Sequence, residues 1–129
     1  MTTTHTRTVR EILSHRVGGL NEVLRVIAFD DRGPGNANHD YRIEPTIGNA
    51  TGIRIEFQKG PLQETIYPNG VSNEVLLAVL IDRLEGFQSG PYSCRENAIA
   101  LTHLQDAMHW LQHRTRERLA RGVEGKSIP

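Results

Sequence analysis

The chain has 129 residues, the length of a single domain that buries about two-thirds of its unfolded surface. Fifteen basic and fifteen acidic residues balance each other, which argues against a protein that binds nucleic-acid polymers through its overall charge. The single cysteine excludes an internal disulfide and suits a reducing cytosol. Because no stretch is apolar over the necessary length, we expect neither a signal peptide nor a membrane span.

The first segment, residues 1–17, is polar around the apolar pair Ile12 and Leu13. We treat it as an N-terminal extension that is either disordered or a short strand or helix. Residues 18–129 are expected to form one domain, with a β-sheet part at 18–71 and a helical part at 72–125.

Four antiparallel strands are predicted in the β-sheet part. The segment LNEVLRVIAFDD (20–31) is apolar on both faces, as in a central or interface strand. YRIEP (41–45) and GIRIEF (52–57) alternate apolar and polar residues, which is typical of half-buried strands. LQETIY (62–67) lies between the turn signals QKGP and PNG and is the fourth candidate.

The loop DDRGPGNANHDY (30–41) separates the first two of these strands. Its glycines, proline and asparagines favour a turn whose backbone N–H groups could face an anion. The spacing does not fit a phosphate loop, and no lysine follows it. A plain hairpin loop without function is an equally good interpretation of the composition.

Two antiparallel helices are predicted in the helical part. Ser72 is the expected N-cap of the first, and Gly90 with Pro91 ends it. Ser93 and Glu96 form a capping-box pattern for the second helix, and Gly122 is its expected end. The fold class is therefore α+β. Since a thin hairpin cannot cover a four-stranded sheet with an apolar strand at 23–29, we expect an oligomer.

The second helix carries a row of arginines in HWLQHRTRERLARG (109–122). Arg114, Arg118 and Arg121 are spaced to share one helix face, whereas Arg116 points elsewhere. Cations at a helix C-terminus are commonly solvated. A nucleic-acid arm is a second interpretation, although Glu117 interrupts the run. A small phosphate ligand, which needs two or three charge-assisted bonds and a stacking aromatic, is a third.

Catalytic and metal chemistry are poorly supported. His109 and His113 are four residues apart, but the glutamate of a metalloprotease helix and a third ligand are missing. Cys94 next to Arg95 is a candidate nucleophile, but the nearest histidine, His103, lies more than two helical turns away. We therefore expect a structural cysteine, no metal, no cofactor and no enzymatic activity.

The run from Asn69 to Gly125, NGVSNEVLLAVLIDRLEGFQSGPYSCRENAIALTHLQDAMHWLQHRTRERLARGVEG, strongly resembles the C-terminal helical hairpin of the Thoeris anti-defence 1 family. These are phage proteins that act as nucleotide sponges, and the hairpin is shared with the anti-CBASS 2 sponge family. GGLNEVL (18–24) and GPGNANHDY (33–41) resemble the sheet half of the longer family, so the resemblance covers residues 18–125.

The resemblance implies a function that the residue spacing alone does not. Members of the family bind cyclic ADP-ribose isomers made by Thoeris sensors, hold them intact and starve the downstream effector. Some also bind cyclic di- or trinucleotides of CBASS immunity at separate sites. They assemble as dimers and, in several cases, as hexamers built from those dimers. A phage-encoded protein of this kind would work in the host bacterial cytoplasm, without a membrane or a nucleic-acid polymer as partner.

The resemblance also implies site residues. Phe87 and Asn97 match the family positions that contact the base side of the ligand, and Arg114 matches a phosphate-binding arginine. The second family arginine corresponds to Arg118 or Arg121. A second nucleotide site is expected around the glycine-rich loop, at Arg25, Gly35, Asn36, Ala37, Asn38 and His39. Two other hypotheses stay open, namely a phage regulator that binds nucleic acid through the arginine face, and a phosphodiesterase that degrades the same signals.

Overall fold

The structure is a computed structural model that describes residues 9–123. It divides into two compact units. The first unit, up to Gly60 and with Pro68–Gly70, contains the strands β1 (Arg10–Ile12), β2 (Leu24–Ala28), β3 (Asp40–Pro45) and β4 (Ile53–Glu56). The second unit, with Pro61–Tyr67 and the chain from Val71, contains the helices α1 (Asn73–Gln88) and α2 (Arg95–Ala120). The predicted α+β class is confirmed.

The four strands form one antiparallel sheet in the order β1-β2-β3-β4. The β2–β3 pair is the longest and runs in register from Leu24 opposite Pro45 to Ala28 opposite Tyr41. Ile27 and Ala28 on β2 are the buried apolar residues of this sheet. The apolar β2 is therefore a central strand, as its sequence indicates.

The prediction of a strand at 62–67 is wrong. Leu62–Glu64 is a turn of 3-10 helix, and Ile66 and Tyr67 beyond it are 90% and 78% exposed. Ile66 and Tyr67 are neighbours, so a strand would direct them to opposite faces and could not bury both against one layer. The first half of the predicted strand 20–31 is also different, since Gly19–Val23 is a 3-10 turn and β2 begins at Leu24.

The fourth strand comes instead from the N-terminal segment. β1 pairs with β2 from Arg10 opposite Ala28 to Ile12 opposite Val26. Two side-chain hydrogen bonds connect this segment to the rest of the sheet unit. His15 Nε2 donates to the Leu24 carbonyl at 2.6 Å, and Arg10 Nη2 donates to Asn38 Oδ1 at 2.8 Å. A strand is thus the form that residues 10–12 of the extension adopt. Residues 1–8 lie outside the described residues.

The helix α1 begins as predicted. Ser72 is its N-cap, and the Ser72 Oγ accepts a hydrogen bond from the Val75 N–H at 3.2 Å. The helix continues to Gln88, and the turn 89–94 contains the predicted breakers Gly90 and Pro91.

The helix α2 begins one residue later than predicted. Its N-cap is Cys94, whose Sγ accepts a hydrogen bond from the Asn97 N–H at 3.4 Å. The prediction of a Ser93–Glu96 capping box is therefore wrong. The predicted end is confirmed, because α2 stops at Ala120 and Gly122 has a φ of 71°. A positive φ at this position is the usual glycine-dependent end of a helix.

Much apolar surface of the helical unit is exposed in the single chain. No residue of α1 is buried, and Arg118 is the buried residue of α2. Val79 and Trp110 are 60% and 65% exposed. Across residues 9–123, no helix combines the length and the apolar character needed to cross a membrane.

Candidate functional site

Phe87 lies in the last turn of α1, next to the turn that leads to α2. It is 36% exposed, so it is a rim residue rather than a core residue. The Arg83 guanidinium, one helical turn earlier, lies 5.0 Å from the centre of the Phe87 ring. This cation–π contact covers one face of the ring and leaves a partly exposed aromatic suited to stacking. Sequence analysis did not identify Arg83.

Asn97 lies in the first turn of α2 and is half-buried. Its N–H donates to Cys94 Sγ, while the main chain of Cys94 is hydrogen-bonded to the side chain of Gln88 at the end of α1. Since Gln88 follows Phe87, these bonds place Phe87 and Asn97 at the same end of the helical hairpin. The two residues expected to contact a base therefore lie on either side of the same turn.

Arg114 lies far from that end. Seventeen residues of continuous helix separate it from Asn97, which at about 1.5 Å per residue is roughly 25 Å. The Arg114 side chain is exposed and follows an aromatic cluster in which the His113 ring lies 5.6 Å from Trp110 and 6.5 Å from His109. One copy of the hairpin thus does not place Arg114 beside Phe87 and Asn97.

The arginines of the predicted face have different environments. Arg118 is only 8% exposed, and its Nη2 donates to the Val123 carbonyl at 3.0 Å. Arg121 is exposed, and its Nη1 lies 3.7 Å from Glu117 Oε1. Arg116 is exposed as well. The helical spacing predicted a shared face but could not predict the hydrogen bond from Arg118 to Val123, which lies beyond the helix.

In the sheet unit, Asp30 organises the loop between β2 and β3. Its carboxylate accepts hydrogen bonds from the N–H groups of His39 and Asp40 and from the Asn38 side-chain amide. Burial is the largest single influence on the Asp30 pKa and raises it, but these hydrogen bonds together outweigh burial and lower the pKa. Asn38 is buried, and its amide is shared between Asp30 and Arg10. The hydrogen bonds of Asp30 and Asn38 therefore stabilise the loop between β2 and β3.

Three backbone N–H groups of this loop donate to acceptors within it. The Gly33 N–H donates to the Ala37 carbonyl at 2.8 Å, the Asn36 N–H donates to the Gly33 carbonyl at 2.9 Å, and the His39 N–H is bound to Asp30. Gly35 and Asn36 both have a positive φ, which shapes the turn. The N–H groups of Gly33, Asn36 and His39 are therefore used inside the loop and do not face an anion.

Side chains around Gly33 supply positive charge that the sequence analysis missed. A methyl group at Gly33 would lie 3.3 Å from His39 Nδ1 and 3.4 Å from Lys59 Cε, so both side chains lie against this glycine. Arg32 Nη1 donates to the Asn36 carbonyl at 3.0 Å. Within residues 9–123, the buried His39 Nδ1 has no hydrogen-bond partner.

Arg25, also expected at this second site, is not beside the loop. It is three residues before the end of β2, about 10 Å along the strand, and its Nε lies 3.7 Å from Glu11 Oε1. Of the six residues named for the second site, the other five belong to the loop itself.

No group of three or more potential metal ligands occurs in the part of the chain that the structure describes. Cys94 is exposed and serves as the N-cap of α2, which is a structural position.

The protein is of the α+β class, with a four-stranded antiparallel sheet and a helical hairpin. The hairpin has Phe87 and Asn97 near its turn and a row of arginines on its second helix. The family model described as Acb2/Tad1, hairpin domain, matches residues 49–116. This is more than half of the chain, and the chain belongs to that family. The matched segment includes Phe87, Asn97 and Arg114, and it ends before Arg118 and Arg121.

A curated relative is named Thoeris anti-defense 1, from Bacillus phage SBSphiJ7. This chain is 52% identical to it over 71 residues, which are 55% of this chain and 49% of the relative. The match thus spans about half the length of the relative. The resemblance seen in the sequence is confirmed.

Proposed function

We propose that this protein is a phage anti-defence protein that binds cyclic ADP-ribose isomers and sequesters them without cleaving them. Membership of the Acb2/Tad1 hairpin family and the name of its relative support an anti-Thoeris role. The observation that carries the proposal is the matched hairpin itself, since it contains the base-contacting candidates Phe87 and Asn97 and the phosphate-binding candidate Arg114.

The distance between these residues favours a site shared by two copies of the chain. Arg114 is about 25 Å from Asn97 along α2, so one copy cannot offer both to one small nucleotide. If two hairpins associate side by side in opposite directions, the Arg114 end of one lies beside the Phe87–Asn97 end of the other. The apolar residues exposed on both helices are suited to such an interface. We therefore propose a homodimer, which assembles further into a hexamer.

The phosphates of the ligand would be bound by Arg114 and by Arg118 or Arg121. A guanidinium has five N–H donors, and Arg118 would bind a phosphate in exchange for contacts such as its bond to the Val123 carbonyl. Arg121 would exchange its contact with Glu117 for the ligand. Charge-assisted bonds of this kind are short, and they are stronger than bonds between neutral groups.

A second nucleotide site would lie at the loop of the sheet unit and take the cyclic di- or trinucleotides of CBASS immunity. Arg32, Lys59 and His39 supply the positive charge and the ring nitrogen for it. Gly35, Asn36 and Ala37 are exposed loop residues that a ligand can approach. Asn38 is buried and would stabilise the loop rather than contact the ligand. Arg25 would join this site only from another copy.

Calorimetry and chromatography test this function together. Purified protein is titrated with a cyclic ADP-ribose isomer, incubated for hours, heated, and the released nucleotide is analysed. Stoichiometric binding and recovery of the unchanged isomer support sequestration. Nucleotide products at catalytic protein amounts would instead identify a phosphodiesterase. Absence of binding, together with affinity for duplex DNA, would favour the regulator hypothesis and refute the proposal.

A further inference from the structure

The turn between the two helices is closed by one side chain. Gln88 is the last residue of α1, and its Nε2 donates to the Cys94 carbonyl at 3.1 Å while the Cys94 N–H donates to Gln88 Oε1 at 3.0 Å. A single amide thus binds both main-chain groups of the residue that caps α2. We refer to these two hydrogen bonds between Gln88 and Cys94 as the clamp.

The clamp lies between the two residues expected to contact a base. Phe87 directly precedes Gln88, and Cys94 accepts the Asn97 N–H on its Sγ at 3.4 Å. The bonds of Ser89, by contrast, return to α1, since its Oγ donates to the Gly86 carbonyl at 2.8 Å and its N–H donates to the Glu85 carbonyl at 3.1 Å. Gln88 therefore connects the α1 side of the site to the α2 side.

We propose that Gln88 is a positioning residue, which fixes the distance and angle between Phe87 and Asn97 through its clamp on Cys94. This inference rests on the proposed function. Stacking on a ring and hydrogen bonding to an amide tolerate errors of only about half an ångström, and they need neighbouring side chains that keep the first contacts in place. The backbone hydrogen bonds of the turn 89–94 are local, from the Gly90 N–H to the Phe87 carbonyl and from the Ser93 N–H to the Gly90 carbonyl, so they do not connect Cys94 to α1.

The test compares three variants for affinity to the same cyclic ADP-ribose isomer. Gln88→Ala removes both bonds of the clamp and should weaken binding about tenfold, the scale of lost hydrogen bonds. Gln88→Glu keeps an acceptor for the Cys94 N–H but loses the donor, so its affinity should be intermediate. The matched control is Ser89→Ala, which removes the bond to Gly86 at the same helix end and should keep the affinity of the original protein.

A double-mutant cycle separates positioning from general stability. In a Phe87→Ala background there is no ring to position, so Gln88→Ala should then change the affinity less than about twofold. A role in stability alone would give the same loss in both backgrounds. Hydrogen exchange of the Cys94 amide gives a readout without ligand, because Gln88→Ala should speed this exchange and Ser89→Ala should not.

The outcomes distinguish this inference from the proposed function. If the original protein does not bind the isomer, the proposed function fails. If it binds, the inference is overturned by equal affinities of the original protein and Gln88→Ala, by equal losses in Gln88→Ala and Ser89→Ala, or by an unchanged loss in the Phe87→Ala background. Exchange at Cys94 that does not respond to Gln88→Ala would also overturn it.

Discussion

Arg114 and Arg116 are two exposed arginines that lie two residues apart on α2 and therefore point in different directions. Arg114 belongs to the face expected to bind phosphate, and Arg116 does not. If a second copy closes the pocket over Arg114, Arg114→Ala should weaken binding of a cyclic ADP-ribose isomer by about 2–5 kcal/mol, the range for losing one member of a buried charged pair. Calorimetry measures this difference.

Arg116→Ala is the matched control, since it removes the same charge from the same helix. Its affinity should stay within about 0.5 kcal/mol of the original value, as for most surface substitutions. Equal losses in both variants would indicate an unspecific charge effect, as in a nucleic-acid arm. The absence of any loss would indicate a solvated helix end.

Asp30 is expected to make the stability of the sheet unit depend on pH. Its pKa is lowered in the folded chain, so ionised Asp30 stabilises the fold above its unfolded pKa of about 3.9, and this contribution is lost as the pH falls through the lower folded value. Asp30→Asn should cost about 1–3 kcal/mol at pH 7, because its NH₂ group cannot replace Oδ2 as the acceptor of the His39 N–H and its remaining oxygen carries no charge. Urea unfolding at pH 7 and at pH 3 measures both effects.

The difference in unfolding free energy between the original protein and Asp30→Asn should shrink at pH 3. Asp31→Asn is the matched control, because it removes a neighbouring carboxylate that is not among the acceptors of the His39 and Asp40 N–H groups. A difference that stays constant from pH 7 to pH 3 would show that Asp30 does not act through its charge.

At the level of single elements, the cap of α2 is an unusual choice that can be tested. A thiol is a weak acceptor, whereas a hydroxyl is a preferred N-cap, so Cys94→Ser should retain or raise the stability of the helix. Cys94→Ala should lower the free energy of unfolding by about 0.5–1 kcal/mol relative to Cys94→Ser. Thermal unfolding of the two variants measures this difference. A Cys94→Ala variant as stable as Cys94→Ser would show that a side-chain acceptor for the Asn97 N–H contributes nothing at this position.

The elements that the sequence predicts well are those with local causes. Ser72 and Gly122 act on the helix turn next to them, so a short pattern is enough to predict both. β1, by contrast, is held by a contact that is distant in sequence, because Arg10 donates a hydrogen bond to Asn38, which lies 28 positions later. The cap at Cys94 was missed because cysteine is not among the preferred N-caps and the Ser93–Glu96 pattern lies one residue earlier.

The candidate site shows the same limit. The resemblance indicates Phe87, Asn97 and Arg114 as candidate ligand-binding residues, and the family match covers all three positions. Helical spacing could not show that Arg118 is buried, because one of its contacts is the carbonyl of Val123 beyond the helix. It could not identify Arg83 or Lys59 either, since these residues acquire a role only from what lies beside them.

At the level of the whole molecule, the exposed apolar side chains of the hairpin bear on assembly. Val75, Val79 and Leu80 on α1 and Leu119 on α2 are all exposed in the single chain, and a helix that exposes its apolar residues usually buries them against a partner. We expect a dimer or a larger even-numbered oligomer at micromolar concentration. Light scattering measures the mass, and a monomer mass for the original protein would contradict the prediction.

Val79 offers the sharpest test of that assembly and of the shared site. Because Val79 is 60% exposed in the single chain, Val79→Glu should leave the fold of each hairpin intact while placing a charge in the interface, where an unpaired charge is strongly unfavourable. Val79→Glu should therefore be monomeric and should also lose ligand binding, since it would prevent the proposed dimer from placing Arg114 of one copy beside Phe87 of the other. Val79→Ala, which adds no charge, should stay oligomeric and bind. A monomeric Val79→Glu that still binds with the original affinity would show that one chain alone forms the site.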